Sequence, residues 1–96
     1  MKDRLQAELV APKRLEVMTL LTAVSEAEFA SLRDALEVSD SVLSKHLGTL
    51  EDAGFIRRRK SLDRRRRTTW ISLTRRGRRA LSAHVAALRE LIDGIE

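Results

Sequence analysis

Apolar residues recur three or four positions apart through most of the chain, which is the spacing of one face of an α-helix. Pro12 suits the first turn of one such segment, Ser25 with Glu28 resembles a capping box, and Gly54 suits the end of another. The first segment is so short that its helix needs a packing partner. The pattern predicts helices over about residues 2–10, 12–24, 28–37, 40–53 and 75–96.

After Gly54 the pattern changes to two short runs rich in β-branched, aromatic and basic residues, FIRRRKS and RTTWISL. The segment between them is centred on LDRRR, so the two runs predict a β-hairpin. Thr74 is then expected to cap the last helix. Trp70 is expected to face away from the core, either under the stem of Arg57 or Arg59 in a cation–π contact or in a contact between subunits.

Three helices, a hairpin and a closing helix predict a winged helix-turn-helix. This is a mainly α-helical fold with a three-helix core, a two- to three-stranded β-hairpin wing and terminal helices that mediate dimerisation. A chain of 96 residues suffices for one modest core. We therefore expect residues 1–96 to form a single domain, with flanking helices at 1–11 and 75–96.

Positive charge is concentrated in one stretch of the chain. The net charges of residues 1–56, 57–79 and 80–96 are −4, +11 and −2. A block of one sign creates a local potential suited to a polyanion. The chain lacks cysteine and has only two histidines, so we expect no metal and no cofactor. It also lacks an apolar run that could span a membrane, so we expect no membrane partner and a cytoplasmic location.

One side of the third predicted helix carries small polar side chains where exposed helices usually carry long Glu and Lys. Such a strip can approach another molecule closely, and the major groove of B-DNA admits one α-helix. An ordinary solvated surface would show the same pattern. His46 lies at the border of the apolar side, where packing and DNA contact are both compatible with its position. The candidate DNA-contacting residues here are Ser39, Ser41, Ser44, Lys45, His46 and Thr49.

The tip of the predicted hairpin reads DRRRR. Arginines at a loop tip can enter a narrow minor groove, where the negative potential is concentrated. Asp63 can orient Arg65, or failing that Arg66, by a charge-assisted hydrogen bond. The alternative is a mobile basic loop in which no arginine is oriented. The candidate residues of the tip are Asp63, Arg64, Arg65, Arg66 and Arg67.

The last predicted helix has a heptad-like apolar stripe that exceeds what one small domain needs. We therefore expect this stripe and two leucines near the N-terminus to form a two-fold dimer interface. Four arginines begin the same helix, where the helix dipole disfavours positive charge, and they predict either phosphate contacts or pairs with acids from elsewhere. The predicted interface residues are Leu5, Leu9, Leu81, Val85, Leu88, Ile92 and Ile95.

The stretches LSKHLGTLEDAGFI, DRRRR and LTRRGRRAL resemble winged helix-turn-helix bacterial regulators of the MarR and ArsR type, especially the short stand-alone domains related to them. The resemblance covers about residues 12–82. It implies a homodimeric, sequence-specific DNA-binding transcription regulator, often a repressor, that reads a pseudo-palindromic operator. It also implies that Ser41, Ser44 and Lys45 enter the major groove, and it puts Asp63 and Arg65 on the wing Asp-x-Arg of the family. The chain is too short for the full effector pocket of longer members, so a small-molecule effector is left open.

Catalysis is not expected, because Ser44 and His46 point in different directions on a helix and no oxyanion turn accompanies them. Two rival functions remain. A non-specific nucleic-acid-binding or architectural protein would show steep salt dependence with little sequence preference. A protein-interaction module would instead use the arginines to meet an acidic partner.

Overall fold

The computed structural model describes residues 4–95, and over this range it forms four α-helices and one three-stranded antiparallel sheet. The second strand of the long hairpin lies in the middle of the sheet, with the first strand of the hairpin at one edge and a very short strand at the other. This is the predicted winged helix. The elements are the 3-10 helix Ala7–Leu9, α1 Pro12–Leu21, β1 Ala27–Glu28, α2 Phe29–Leu36, α3 Asp40–Asp52, β2 Ile56–Asp63, β3 Arg66–Leu73 and α4 Arg75–Asp93.

Two local predictions are wrong. Within the described part of the helix predicted over 2–10 no α-helix forms, and Ala7–Leu9 is a 3-10 helix; residues 2 and 3 of the prediction lie outside the described residues. The predicted capping box does not form, because Glu28 is itself the N-cap of α2 and has no side-chain cap. Ala27 and Glu28 instead pair with Ile71 and Trp70 as β1, which holds them extended and delays the start of α2.

A local signal lies at each end of α3, and the one predicted at Gly54 is confirmed. The Ser39 hydroxyl accepts a hydrogen bond from the Val42 amide at 3.2 Å. Gly54 has φ +78°, a conformation that favours glycine and turns the chain from α3 into β2. Thr74 caps α4 by accepting from the Gly77 amide at 2.9 Å, and its hydroxyl donates to the Gly54 carbonyl at 2.6 Å. Thr74 thereby joins the start of α4 to the end of α3.

The core contains side chains from all four α-helices and from the inner face of the hairpin. Leu9 and Leu81 belong to it, with 0% and 8% of their surface exposed. Their burial in the core leaves little of either side chain for the predicted dimer interface, which stays a prediction. The apolar stripe of α4 changes its surroundings along its length, because its first half packs on the core whereas its end projects beyond it. Ile92 and Ile95 are 60% and 84% exposed there.

The other predicted interface residues lie between these extremes. Leu5, Val85 and Leu88 are partly buried, and Val85 packs against the core. Leu91, which was not predicted, is exposed beside Ile92. Within residues 4–95, no helix combines the length and the apolar character needed to cross a membrane.

Candidate nucleic-acid interface

The side of α3 that faces away from the core carries the predicted strip of small polar side chains. Leu43, Leu47 and Leu50 are fully buried and fix the rotation of the helix about its axis. Thr49 is partly buried and its hydroxyl donates to the backbone carbonyl of Lys45 at 3.3 Å. Solvent reaches the remaining predicted side chains of the strip. They are Ser39, Ser41, Ser44 and Lys45.

His46 lies at the edge of this strip and contacts α1. Its Nδ1 lies 3.3 Å from Nη1 of Arg14. Because a guanidinium only donates hydrogen bonds, Nδ1 is the acceptor and carries no proton. Partial burial, followed by the positive charges of Arg14 and Lys45, lowers the pKa of His46. Of the two roles that the sequence left open for His46, the structure therefore provides the packing contact.

The strand register divides the hairpin into two faces. Arg58 is paired with Ile71, and Lys60 with Thr69. Alternate residues of a strand share a face, so Arg58 and Lys60 lie on the same face as the buried Ile71, which points towards the helices. The inner face of the hairpin is thus basic beyond the point where the core ends.

The inner face of the hairpin, α3 and the start of α2 line one groove. Its wall on the α3 side includes Ser44 of the polar strip, and its wall on the hairpin side includes Lys60. The Arg58 guanidinium pairs with the Glu51 carboxylate at 2.9 Å and so joins the last turns of α3 to β2. The two predicted reading elements therefore open onto the same side of the protein. The groove residues are Phe29, Ser44, Glu51, Arg58, Lys60 and Thr69.

Lys60 and Glu51 were not among the predicted site residues. Counting in twos from Ile56 would have placed Lys60 on its face of the strand. No local pattern shows that Glu51 meets Arg58, because that contact depends on how α3 packs against the hairpin.

The outer face of the hairpin holds an ordered cluster around Trp70. The guanidinium carbon of Arg59 lies 5.9 Å from the centre of the Trp70 ring, so the cation–π contact predicted from the sequence is confirmed for Arg59. Glu26 accepts two hydrogen bonds from the same guanidinium, the shorter at 2.5 Å. The bond to Glu26 raises the pKa of Arg59 above its ordinary value. These contacts brace the wing against the segment that contains β1.

The tip of the wing is a two-residue turn, Arg64 and Arg65, between the paired residues Asp63 and Arg66. Both turn residues have positive φ, +50° and +64°. Arg66 pairs with Glu28 at 3.3 Å. Asp63 makes no ion pair with Arg65 or Arg66 in the part of the chain that the structure describes. The predicted orienting contact of Asp63 is therefore absent, because β1 brings a different carboxylate to Arg66.

The arginines that begin α4 are exposed and make no ion pair with a carboxylate of residues 4–95. The predicted alternative in which acids from elsewhere neutralise them is therefore not found. They are Arg75, Arg76, Arg78 and Arg79.

Comparison with known proteins gives a family match to most of the chain. The model of the winged helix DNA-binding domain family matches residues 13–92. An uncharacterized protein of Methanocaldococcus jannaschii, MJ0432, is 32% identical over 83 residues, which cover 86% of this chain and 90% of that protein.

Solved structures give the same fold. The transcriptional regulator homologue protein from Pyrococcus horikoshii has a TM-score of 0.90 and 25% identity, with 99% of this chain and 95% of that chain covered. A MarR family transcriptional regulator from Silicibacter pomeroyi has a TM-score of 0.69 and 24% identity, with 93% of this chain and 59% of that chain covered. The second similarity concerns the fold alone. Family and fold are those of a transcription regulator and not of an enzyme.

Proposed function

Because the chain belongs to the winged helix DNA-binding domain family, we propose that it is a sequence-specific transcription regulator that binds double-stranded DNA as a homodimer. In this proposal α3 lies in the major groove and the Arg-rich wing enters the minor groove. The single observation that carries it is the shared groove. Ser44 of α3 and Lys60 of the hairpin line the same groove, so both elements can engage one duplex together.

Charge supports a duplex as the partner. The segment with a net charge of +11 forms the hairpin and the start of α4, whereas the rest of the chain is mildly acidic. Phosphate contacts place such a protein on DNA, and base contacts then select the sequence. Ser41, Ser44 and Lys45 can donate to base edges or phosphates from the exposed side of α3. We assign direct readout to these three residues and minor-groove contact to Arg64, Arg65, Arg66 and Arg67.

Dimerisation would set the spacing of the half-sites. Ile92 and Ile95 expose apolar surface at the end of α4, with Leu91 beside them. If a second copy buries this surface, the dimer must hold its two α3 helices about 34 Å apart to read half-sites one turn of DNA apart. Such a dimer reads a pseudo-palindromic operator and represses by occluding polymerase at a promoter. We also propose that the chain forms a single DNA-binding domain and that it acts in the cytoplasm.

The test is selection of bound duplexes from a random pool, followed by a salt titration on the winning sequence. We expect an enriched pseudo-palindrome and a preference of 10³-fold or more, in order of magnitude, over a scrambled duplex. Steep salt dependence without enrichment would favour the architectural alternative instead. Sedimentation at micromolar concentration tests the dimer, and a monomer that binds a single half-site would contradict it.

The wing turn provides a first prediction on stability and affinity together. Replacing Arg64 and Arg65 by Asn and Gly should raise the free energy of unfolding by about 1–2 kcal/mol, because both positions have positive φ and Asn-Gly favours such turns. The same change should weaken DNA binding, because it removes two cations from the tip. Urea unfolding and a DNA titration measure the two effects.

The matched control for the turn is Arg64→Gln with Arg65→Gln, which removes the same charges and keeps side chains that disfavour positive φ. We expect this variant to lose comparable affinity without any gain in stability. Equal stability of the Asn-Gly and Gln-Gln variants would show that the turn carries no strain.

Asp63 provides a second prediction. Since no arginine of the tip is paired with its carboxylate, Asp63→Ala should tighten DNA binding about two- to fivefold by removing a negative charge next to phosphate. Asp93→Ala, which removes an exposed carboxylate at the far end of α4, is the control for net charge and should have a smaller effect. Weaker binding of Asp63→Ala at fixed salt would restore the orienting role that the sequence suggested.

A further inference from the structure

The N-terminal segment, residues 4–11, makes two polar contacts with α4 and contributes one side chain to the core. The Gln6 amide donates a hydrogen bond to Nδ1 of His84 at 3.0 Å. Arg4 pairs with Glu90, farther along α4. Leu9 is fully buried in the core. The segment is therefore docked on α4 although it contains only a three-residue 3-10 helix.

Arg14 of α1 connects this segment to α3. Its Nε donates to the backbone carbonyl of Glu8 at 2.5 Å, and its Nη1 contacts Nδ1 of His46 at 3.3 Å. One guanidinium thus holds the N-terminal segment on one side and the DNA-reading helix on the other. His46 is adjacent in sequence to Lys45 of the proposed reading strip. The chain of contacts runs from His84 through the segment and Arg14 to His46.

His46 and His84 must both be neutral for these two hydrogen bonds to exist. A backbone amide and a guanidinium are donors only, so each ring uses the lone pair of Nδ1 and carries its proton on Nε2. A second proton would occupy Nδ1 and turn each acceptor into a donor that faces another donor. At His46 the new charge would also face the Arg14 cation, with Lys45 beside it on the same helix.

No carboxylate offsets this repulsion. Neither ring is ion-paired or hydrogen-bonded to a carboxylate of residues 4–95. The group that faces His84 is the Gln6 backbone, and the ion pair of Arg4 and Glu90 lies between the same two elements. Burial lowers the pKa of His84, and burial together with the two nearby cations lowers that of His46. Both contacts are therefore intact above the ordinary histidine pKa of about 6.5 and are lost as the pH falls through the lowered values.

We propose that Arg14 is a positioning residue for DNA reading, which couples α3 to α4 through the N-terminal segment, and that protonation of His46 and His84 releases this coupling. Its last step, the effect on DNA, rests on the proposed function. If α4 carries the dimer contact, the linkage holds each α3 at a defined position relative to the dimer axis. Specific binding needs that position, whereas non-specific binding to phosphate does not and gains from added positive charge. The ratio of specific to non-specific affinity therefore falls with acidification.

The linkage itself is tested without DNA, on the full chain, by nuclear magnetic resonance of the histidine rings and by amide hydrogen exchange. At pH 7.5 both rings should be the Nε2–H tautomer. When both rings are protonated at lower pH, the amides of the segment and of α3 should exchange faster. His46→Gln and His84→Gln each keep a side-chain oxygen that can accept the same hydrogen bond and does not titrate, so in the double variant the amides of the segment and of α3 should become insensitive to this pH change.

Two results would overturn the linkage. One is an Nδ1–H tautomer for either ring at pH 7.5. The other is exchange of the segment and α3 that stays unchanged when both rings are protonated. A double-mutant cycle of His46→Gln and His84→Gln adds a test of coupling between the two ends, since independent sites would give additive effects on unfolding.

The functional step is tested by comparing the affinities for the selected duplex and for a scrambled duplex at pH 7.5 and at the lower pH where the ring resonances show both histidines protonated, at fixed salt. We expect the affinity ratio of the native protein to fall about tenfold, a typical size for coupled sites. The double variant His46→Gln with His84→Gln should show little change because neither titrating link remains, and Arg89→Gln, which removes an exposed cation of α4 outside the linkage, should behave like the native protein. A pH-independent ratio in the native protein would overturn the regulatory step. Absence of any preferred duplex at either pH would instead refute the proposed function, while the ring tautomers and exchange rates would still decide the linkage.

Discussion

Replacement of the four wing-tip arginines, Arg64, Arg65, Arg66 and Arg67, by glutamine is expected to weaken binding to the selected duplex on the order of 100-fold or more at physiological salt. A hydrogen bond between charged groups contributes about 1.5–3 kcal/mol, so removal of two or three such bonds to phosphate accounts for this factor. The dependence of affinity on salt should also become shallower, by about 0.9 in the log–log slope for each phosphate contact removed. Titrations at three or more salt concentrations measure both quantities.

The start of α4 offers a control with the same change in charge. Replacing its four arginines by glutamine, Arg75, Arg76, Arg78 and Arg79, also removes four positive charges, but from a site that does not line the groove between α3 and the hairpin. If position on the wing matters, the tip variant should lose more affinity than this control. Equal losses would mean that the protein binds DNA through its overall charge.

Gly77→Ala is expected to lower the free energy of unfolding by about 3 kcal/mol or more, which is a large part of the stability of a small domain. A Cβ at this position would lie 2.0 Å from the carbonyl oxygen of Phe55. The Phe55 oxygen is a backbone atom and the new Cβ is bonded directly to the backbone of α4, so no side-chain rotation can relieve the clash. The Phe55 carbonyl also accepts a hydrogen bond from the Thr74 amide at 3.0 Å, and any shift of α4 away from Phe55 would disturb this bond. Urea unfolding measures the loss.

Gly48→Ala makes the same chemical change where nothing lies within 4 Å of the new methyl group. Gly48 is inside α3, where alanine is favoured over glycine by about 1 kcal/mol, so this variant should be more stable than the native protein. The opposite signs of the two effects separate the contact at Gly77 from any general property of glycine. A Gly77→Ala variant with native stability would show that α4 does not pack this closely on the end of α3.

Much of the candidate site could be predicted because its signals are local. The leucines of α3 recur at helical spacing, and they alone decide which side of the helix is left for Ser41 and Ser44. The basic block and the change to alternating residues after Gly54 likewise marked the wing. By contrast, the orienting partner of a wing arginine was predicted from sequence neighbours, and Arg66 instead meets Glu28, a residue 38 positions away.

The apolar stripe of α4 is a second case in which local spacing did not predict the surroundings of each side chain. Its spacing identifies one face of a helix, but the same face serves two environments, since Leu81 lies in the core and Ile95 projects from it. His84 lies within the buried part and had no feature in the sequence that marked it as a hydrogen-bond acceptor for the N-terminal segment. Such assignments require knowledge of which elements lie over the helix at each turn.

By itself the sequence determined the four α-helices and the hairpin, the rotation of α3, and the position of the positive charge. These follow from periodicity and composition, which act over a few residues. Only the tertiary structure decided that β1 completes the sheet, that Leu9 and Leu81 are core residues, that Lys60 and Ser44 share a groove, and that Arg14 joins His46 to the N-terminal segment. The physical reason is that a contact between distant segments depends on how whole surfaces pack, and neither segment carries that information alone.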